Sequence, residues 1–204
     1  DIISKAYPEH GFVGEEYGSD SNRKEYTWVI DPIDGTKNYS RGIPHFATEL
    51  ALFEGDELIL GISNAPLLKK RVTAEKNKGA FLNETTQIHV STISNLANAY
   101  ISVGSIRYFD SRGKLETLSQ LNKDIAGLKG FGDTWSYHFL AEGKLDAIIE
   151  AKTNLWDFAA TAAIVTEAGG NVTDFNGEPI SFSTETLIAS NGLLHDSLVQ
   201  RFHK

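Results

Sequence analysis

The 204-residue sequence predicts a layered α/β (α+β) protein, with a largely antiparallel sheet in its first half and a mixed sheet in its second. Three observations carry that expectation. Short apolar strands separated by turn residues follow one another from 46 to 90. From 99 onward, strands alternate with segments of helical periodicity. Finally, 41% hydrophobic residues over this length suffice for a full core, so one domain, 1–204, is expected, made of merged halves at roughly 1–98 and 99–204.

In chain order, the apolar residues of Asp1-Ile2-Ile3-Ser4-Lys5-Ala6-Tyr7 recur at helical spacing and then meet Pro8, which reads as the last turns of a helix. Gly11-Phe12-Val13-Gly14 is a short strand running out into Glu15-Glu16. The polar stretch 19–25 reads as a loop whose composition suggests mobility. Trp28-Val29-Ile30 is a buried strand ended by Asp31-Pro32, because proline lacks the ladder donor and holds the residue before it extended. Strands 46–53 and 58–63 flank Glu54-Gly55-Asp56-Glu57 as a hairpin, and 70–75, 78–83 and 87–90 continue the antiparallel pattern. The second half opens with strand 99–103, a helix over 111–122 and a return to strand through 124–130. Helix 135–142 stops at Gly143, strand 145–150 follows, and helix 156–168 stops at Gly169-Gly170. Strands 172–174 and 187–190 and a closing helix over 193–202 complete the series.

Composition excludes several functions. A net charge of −8, with no basic run longer than Lys69-Lys70-Arg71, argues against a nucleic-acid partner. There is no cysteine, so any metal must be held by oxygen or imidazole. His45 and His89 have no partner at metal spacing and read as surface or capped residues. No apolar run approaches the roughly 20 residues needed to span a bilayer, and Asp1-Ile2-Ile3 does not read as a signal peptide. The expectation is a cytoplasmic protein with no membrane partner.

The chemistry concentrates in Trp28-Val29-Ile30-Asp31-Pro32-Ile33-Asp34-Gly35-Thr36-Lys37-Asn38. Asp31 lies at a strand's edge, Asp34 can turn back beside it, and Gly35 lets backbone N–H groups approach an anion. Two carboxylates so close repel unless a cation lies between them. With the Ile33 carbonyl and the Thr36 hydroxyl they form an all-oxygen donor set, which suits a hard ion such as Mg²⁺. Asp-Pro and Asp-Gly also occur in ordinary turns, but a turn needs neither the second carboxylate nor the threonine.

This string resembles the first signature of the inositol monophosphatase family of Mg²⁺-dependent phosphatases. Gly14-Glu15-Glu16 resembles the family's Gly-Glu-Glu element. Leu155-Trp156-Asp157-Phe158-Ala159-Ala160, followed by Glu167-Ala168-Gly169-Gly170, resembles its second signature. The resemblance implies a layered α-β-α-β-α sandwich and a phosphomonoesterase working with two or three Mg²⁺ ions. It also implies a homodimer, and two helices ahead of Tyr7 that supply a further acidic residue and part of the dimer contact.

By the same resemblance Glu15 is a metal ligand, with Glu16 its less definite neighbour. Asp157 joins the first signature's metals although it could equally serve as a plain helix-start carboxylate. Glu15, Asp31, the Ile33 carbonyl and Thr36 would hold one ion that activates a water, and Asp31 would bridge to a second held by Asp34 and Asp157. The Gly35 and Thr36 N–H groups would receive phosphoryl oxygens. Catalysis is thus assigned to Glu15, Asp31, Asp34, Thr36 and Asp157, and metal binding to Glu15, Asp31, Ile33, Asp34 and Asp157.

Substrate contacts are assigned to Gly35, Thr36, Asp133 and Glu150. The family's residue at Glu150 touches the alcohol part, and Gly130-Phe131-Gly132-Asp133-Thr134-Trp135 looks more like the histidinol-phosphatase branch. Asp133 suits an ammonium-bearing alcohol, while a helix N-cap role stays open for it. Histidinol phosphate is preferred slightly over inositol 1-phosphate. The alternatives are a phosphatase for bisphosphorylated sugars or nucleotides, or a non-catalytic regulatory or RNA-associated member.

Overall fold

A computed structural model describes residues 2–16 and 23–203. Of the loop expected over 19–25, residues 19–22 lie outside the described residues, and 23–25 lead directly into a strand. After α1 (Ile2–Ala6), the strands β1 (Gly11–Gly14), β2 (Tyr26–Asp34), β3 (Ala47–Glu54), β4 (Glu57–Ala65), β5 (Lys70–Glu75), β6 (Gly79–Leu82) and β7 (Thr86–Ile88) form a seven-stranded sheet in chain order. β1 pairs parallel with β2, and the other neighbours pair antiparallel. A short helical turn, α2 (Thr36–Tyr39), leaves the end of β2.

The second sheet runs β11 (Asn171–Thr173), β12 (Leu187–Ser190), β10 (Ala147–Glu150), β8 (Tyr100–Val103), β9 (Gly127–Lys129). It is mixed, as expected: β10 and β9 are parallel to β8, and β12 is antiparallel to β10 and β11. Between the sheets lie α5 (Asp133–Ala141) and α6 (Leu155–Glu167), and one continuous core joins Val29, Ala51 and Phe53 of the first sheet to Ile148 and Leu187 of the second. On the far face of the second sheet, α3 (Ile106–Ser111), α4 (Leu115–Asp124) and α7 (His195–Phe202) close a second core through Phe109, Leu121 and Phe202. The layered alternation is present, with α1 the helix that precedes the first sheet. No helix among the described residues is long and apolar enough to cross a membrane.

The central helix α6 is apolar on nearly every side, as burial between two sheets demands. Its run of alanines lets β4 come close. A Cβ built on Gly61 would meet the Ala160 carbonyl oxygen at 2.2 Å, so only glycine fits that crossing. The second signature also splits here by role. The Glu167 carboxylate accepts the N–H groups of Asn77 and Gly79, pinning the β5–β6 turn to the end of α6. Gly169, at φ 94°, takes the left-handed position after the helix. That half of the motif builds the scaffold, and Asp157 stands at the other end of the helix.

Two expectations need correction. The helix placed over 111–122 is α4 alone, and a separate α3 precedes it. Gly113, at φ 67°, breaks the run between them. Nor does Asp31-Pro32 end its strand. β2 continues to Asp34 through an irregularity in which Asp31 faces Glu49 while Asp34 faces Ala47, three steps on one strand against two on the other. In a regular strand residues three apart point to opposite faces, so this extra residue returns Asp31 and Asp34 to the same buried side, with Pro32 exposed between them.

Candidate metal centre and substrate pocket

That bulge is the first of three devices that build the site. The second is the start of α6, where the Asp157 Oδ2 accepts the Asn154 N–H at 2.8 Å and its side-chain amide at 3.1 Å, completing a capping box. The capping role and the ligand role are therefore compatible, because these bonds fall on Oδ2 and leave Oδ1 unspent. The third is Thr134 at the start of α5, whose N–H and hydroxyl both donate to Asp34 Oδ2, at 2.7 and 2.6 Å.

Together these bring one carboxylate oxygen each of Asp31, Asp34 and Asp157 within 4.8 Å of one another. Asp31 is further fixed by the Ile33 N–H, which donates to its Oδ1 at 2.9 Å. Burial pushes the Asp31 carboxyl up to about 7; the Ile33 N–H opposes this, and Glu15, Asp157 and Asp133 add repulsion. Burial pushes Asp34 up to about 7 as well, with Asp133 repelling it and the Thr134 bonds opposing. Asp157 is likewise raised, chiefly by burial. Two buried carboxylates and a half-buried one, gathered with no imidazole among them, are a donor set for a hard divalent cation. The residues fit the ions expected of them.

The other assigned residues fall around this cluster. Glu15 lies in an exposed turn at the mouth of the same cavity, near enough to repel Asp31 and Asp157 but outside the three-carboxylate group, and Glu16 is exposed beside it. The Thr36 hydroxyl donates to the Ile33 carbonyl at 3.0 Å, so the two oxygens assigned to one ion bond each other here. Gly35 caps α2 at φ 81°, and a Cβ there would meet the His45 carbonyl oxygen at 2.7 Å. His45 packs its ring on Trp135, and His89 is exposed.

Beyond the carboxylates the cavity opens to about 770 Å³, lined among others by Lys37, Tyr108, Asp133, Glu150 and Lys152. Asp133 is no N-cap. The cap position is Gly132, and Asp133 begins α5 at φ 47°, a conformation uncommon for a residue with a side chain and tolerated best by Asn and Asp. Its Oδ2 instead accepts the Asn38 amide at 2.6 Å, tying α5 to the first signature. Burial raises its carboxyl, while His45 and Lys37 pull it back.

Glu150, at the end of β10, receives no hydrogen bond among the described residues, and its carboxyl is pushed up to about 8 by burial and then by Asp133, Asp157 and Asp34. It lies so close to Gly104 that a Cβ there would come 1.7 Å from its Oε2. Replacing Gly104 with alanine should therefore turn Glu150 away. The expected result is a KM roughly tenfold higher with unchanged metal affinity, which steady-state kinetics beside a metal titration would check.

Sequence reasoning missed Thr134 as the support of Asp34 and Asn38 as the support of Asp133, and Tyr108, Lys37 and Lys152 as pocket lining. Thr134 could have been suspected from its place directly after Asp133.

The comparisons with known proteins bear on the chain's family. The model of the inositol monophosphatase family matches residues 1–204. The chain is 40% identical to a histidinol-phosphatase of Streptomyces coelicolor, over 97% of this chain and 76% of that protein. It is 33% identical to an inositol-1-monophosphatase of Caulobacter vibrioides, over 98% of this chain and 81% of the relative. A solved Thermotoga maritima IMPase superposes with a TM-score of 0.87 at 34% identity, covering 99% of this chain and 77% of that one. With Asp31, Asp34 and Asp157 gathered at one cavity and residues 1–204 matched, the chain belongs to the inositol monophosphatase family.

Proposed function

We propose that this phosphomonoesterase hydrolyses the phosphate ester of a small amino alcohol, histidinol phosphate in preference to inositol 1-phosphate, with Mg²⁺ as its metal. The observation that carries the substrate class is the pair Asp133 and Glu150 on the cavity wall, the second with no hydrogen bond from the described residues. A substrate ammonium would relieve the burial and repulsion that hold both carboxyls up, whereas hydroxyls alone would not. The histidinol-phosphatase among the relatives supports the same choice.

Asp31, Asp34 and Asp157 would hold the ions, with Glu15 and the Ile33 carbonyl completing the set. Bound there, divalent ions lower the pKa of water and neutralise charge on the phosphoryl and leaving oxygens. The chain's own part is positioning. Gly35 and Thr36 present backbone N–H groups to the phosphoryl oxygens at the start of α2, and the Thr36 hydroxyl, bonded to Ile33, holds that turn in shape. Asp133, locked by Asn38, and Glu150, lodged against Gly104, orient the alcohol so that the ester stands at the cluster. A second reading, a bisphosphorylated sugar, is favoured by Lys152 on the same wall. Homodimerisation belongs to the proposal on the family resemblance, and a cytoplasmic location on the sequence reading.

The test compares turnover of histidinol phosphate, inositol 1-phosphate and fructose 1,6-bisphosphate by wild type and Asp133→Ala. The variant should lose roughly 10- to 100-fold in kcat/KM on the amine-bearing ester and little on the others. Equal losses on all three, or faster wild-type turnover of either other ester, would contradict the assignment.

A further inference from the structure

Behind the cluster, a line of polar side chains crosses the apolar layer between the first sheet and α5. Thr134 Oγ1 stands 2.6 Å from Asp34 Oδ2 and 2.6 Å from Glu49 Oε1. Ser63 Oγ stands 2.7 Å from the same Glu49 oxygen and 2.7 Å from His138 Nε2. Glu49, Ser63, Thr134 and His138 are all buried to 1% exposure or less, and Glu49 Oε2 and His138 Nδ1 have no hydrogen-bond partner among the described residues.

Counting protons fixes the direction of this line. The Thr134 hydroxyl owns one proton and touches two carboxyl oxygens, so it can donate to only one, and the other contact needs a proton of its own. With Asp34 ionised as a metal ligand, that proton resides on Glu49 Oε1, which donates to Thr134, which donates to Asp34. Upstream, Ser63 donates to Glu49 and His138 donates through Nε2 to Ser63, which leaves the unpartnered Nδ1 as a bare acceptor. Every short contact then has one proton. Complete burial of Glu49 favours the neutral acid too, raising its carboxyl well above the usual range, with Asp34 adding repulsion and Ser63 and Thr134 opposing. A neutral His138, its ring lowered to about 4 by burial, fits the same arrangement.

We propose that Glu49 is a positioning residue for the metal centre: a buried carboxylic acid that donates to Thr134, commits the Thr134 hydroxyl to Asp34 Oδ2, and so holds Asp34 with its other oxygen available to the ion. The inference rests on Asp34 being a metal ligand, as proposed above. It explains why a carboxyl occupies an inward position of β3, where Ala47, Ala51 and Phe53 otherwise face the core. A charge without a counter-ion would be costly there, but an acid in a donor chain is not.

The test pairs infrared spectroscopy with calorimetric titration by Mn²⁺ alone, on wild type, Glu49→Gln, Glu49→Leu and Asp34→Asn. Asp31, Asp34 and Glu150 contribute acid bands of their own, so the Glu49 band is read as a wild-type minus Glu49→Gln difference, in which the C=O stretch of a protonated carboxyl should be present in the metal-free and the Mn²⁺-loaded protein alike. Glutamine keeps a donor toward Thr134 and should bind Mn²⁺ within about threefold of wild type, while leucine should bind roughly 10- to 100-fold more weakly. Loss of that difference band on loading would deny a proton held by Glu49 beside the ion, and leucine binding like wild type, or glutamine as poorly as leucine, would deny the positioning role. Each overturns the inference. Should Glu49→Leu not fold, the difference band and the glutamine variant still decide. Wild-type affinity in Asp34→Asn would instead overturn the ligand assignment beneath it.

Discussion

Asp34→Asn should lower kcat by roughly 10³-fold or more while leaving the protein folded. Asparagine is nearly the same size, and its Oδ1 can take both Thr134 bonds that Asp34 Oδ2 now accepts, so the anchor at the start of α5 survives. What disappears is one of three charges at the cluster. Removing a buried carboxyl that is already pushed up to about 7 also relieves repulsion, so the metal-free variant should melt a few degrees above metal-free wild type. Circular-dichroism melting beside a phosphate-release assay reads both effects. A destabilised variant, or one with near-normal turnover, would show that Asp34 works as scaffold.

Metal-free wild type should grow more stable on acidification from pH 8 toward pH 5.5, with the melting temperature rising on the order of 5–10 °C. The sign follows from the direction of the shifts. Asp31 and Asp34 rise from 3.8 to about 7 and Glu150 from 4.5 to about 8, so between these limits the folded state binds protons that the unfolded chain has released. The fold is penalised most above pH 8, and the penalty is progressively relieved as pH falls through 8 and 7 toward 4. Saturating Mg²⁺ should flatten or invert the trend, because protons then compete with the ion for the same oxygens. Differential scanning calorimetry at several pH values, with and without the ion, checks it. Stability that falls on acidification of the metal-free protein would mean the cluster is not strained in the way its burial implies.

How much of this could be read beforehand depended on the kind of information each residue needed. Asp31 and Asp34 stood out as two carboxylates in one short turn, while Asp157 entered only through the family resemblance, and the structure gathers the three. That Asp31 and Asp34 share a buried face was not legible, since strand parity puts residues three apart on opposite sides and only the bulge against β3 restores them. The short helix α3 was not legible, because six residues are too few to establish a helical period, and the expected run began only at its last residue. Asp133 looked equally good as an N-cap or a substrate carboxyl. Its left-handed backbone and its bond to Asn38, 95 residues away, are tertiary facts. Glu49 did leave a trace: Ala47, Glu49, Ala51 and Phe53 share one parity, and a lone carboxyl on that face signalled a buried polar role. Which partners it would meet, from β4 and α5, was set by packing alone.

The central claim is that Asp31, Asp34 and Asp157 close on divalent ions in one cavity. Crystals of the protein grown with Mn²⁺ and measured at a wavelength where manganese scatters anomalously test it directly. The account predicts anomalous peaks within coordination distance of an oxygen from each of these three carboxylates, with Glu15 at the edge of the site. Peaks that bypass Asp157, or none in the cavity at saturating ion, would contradict it.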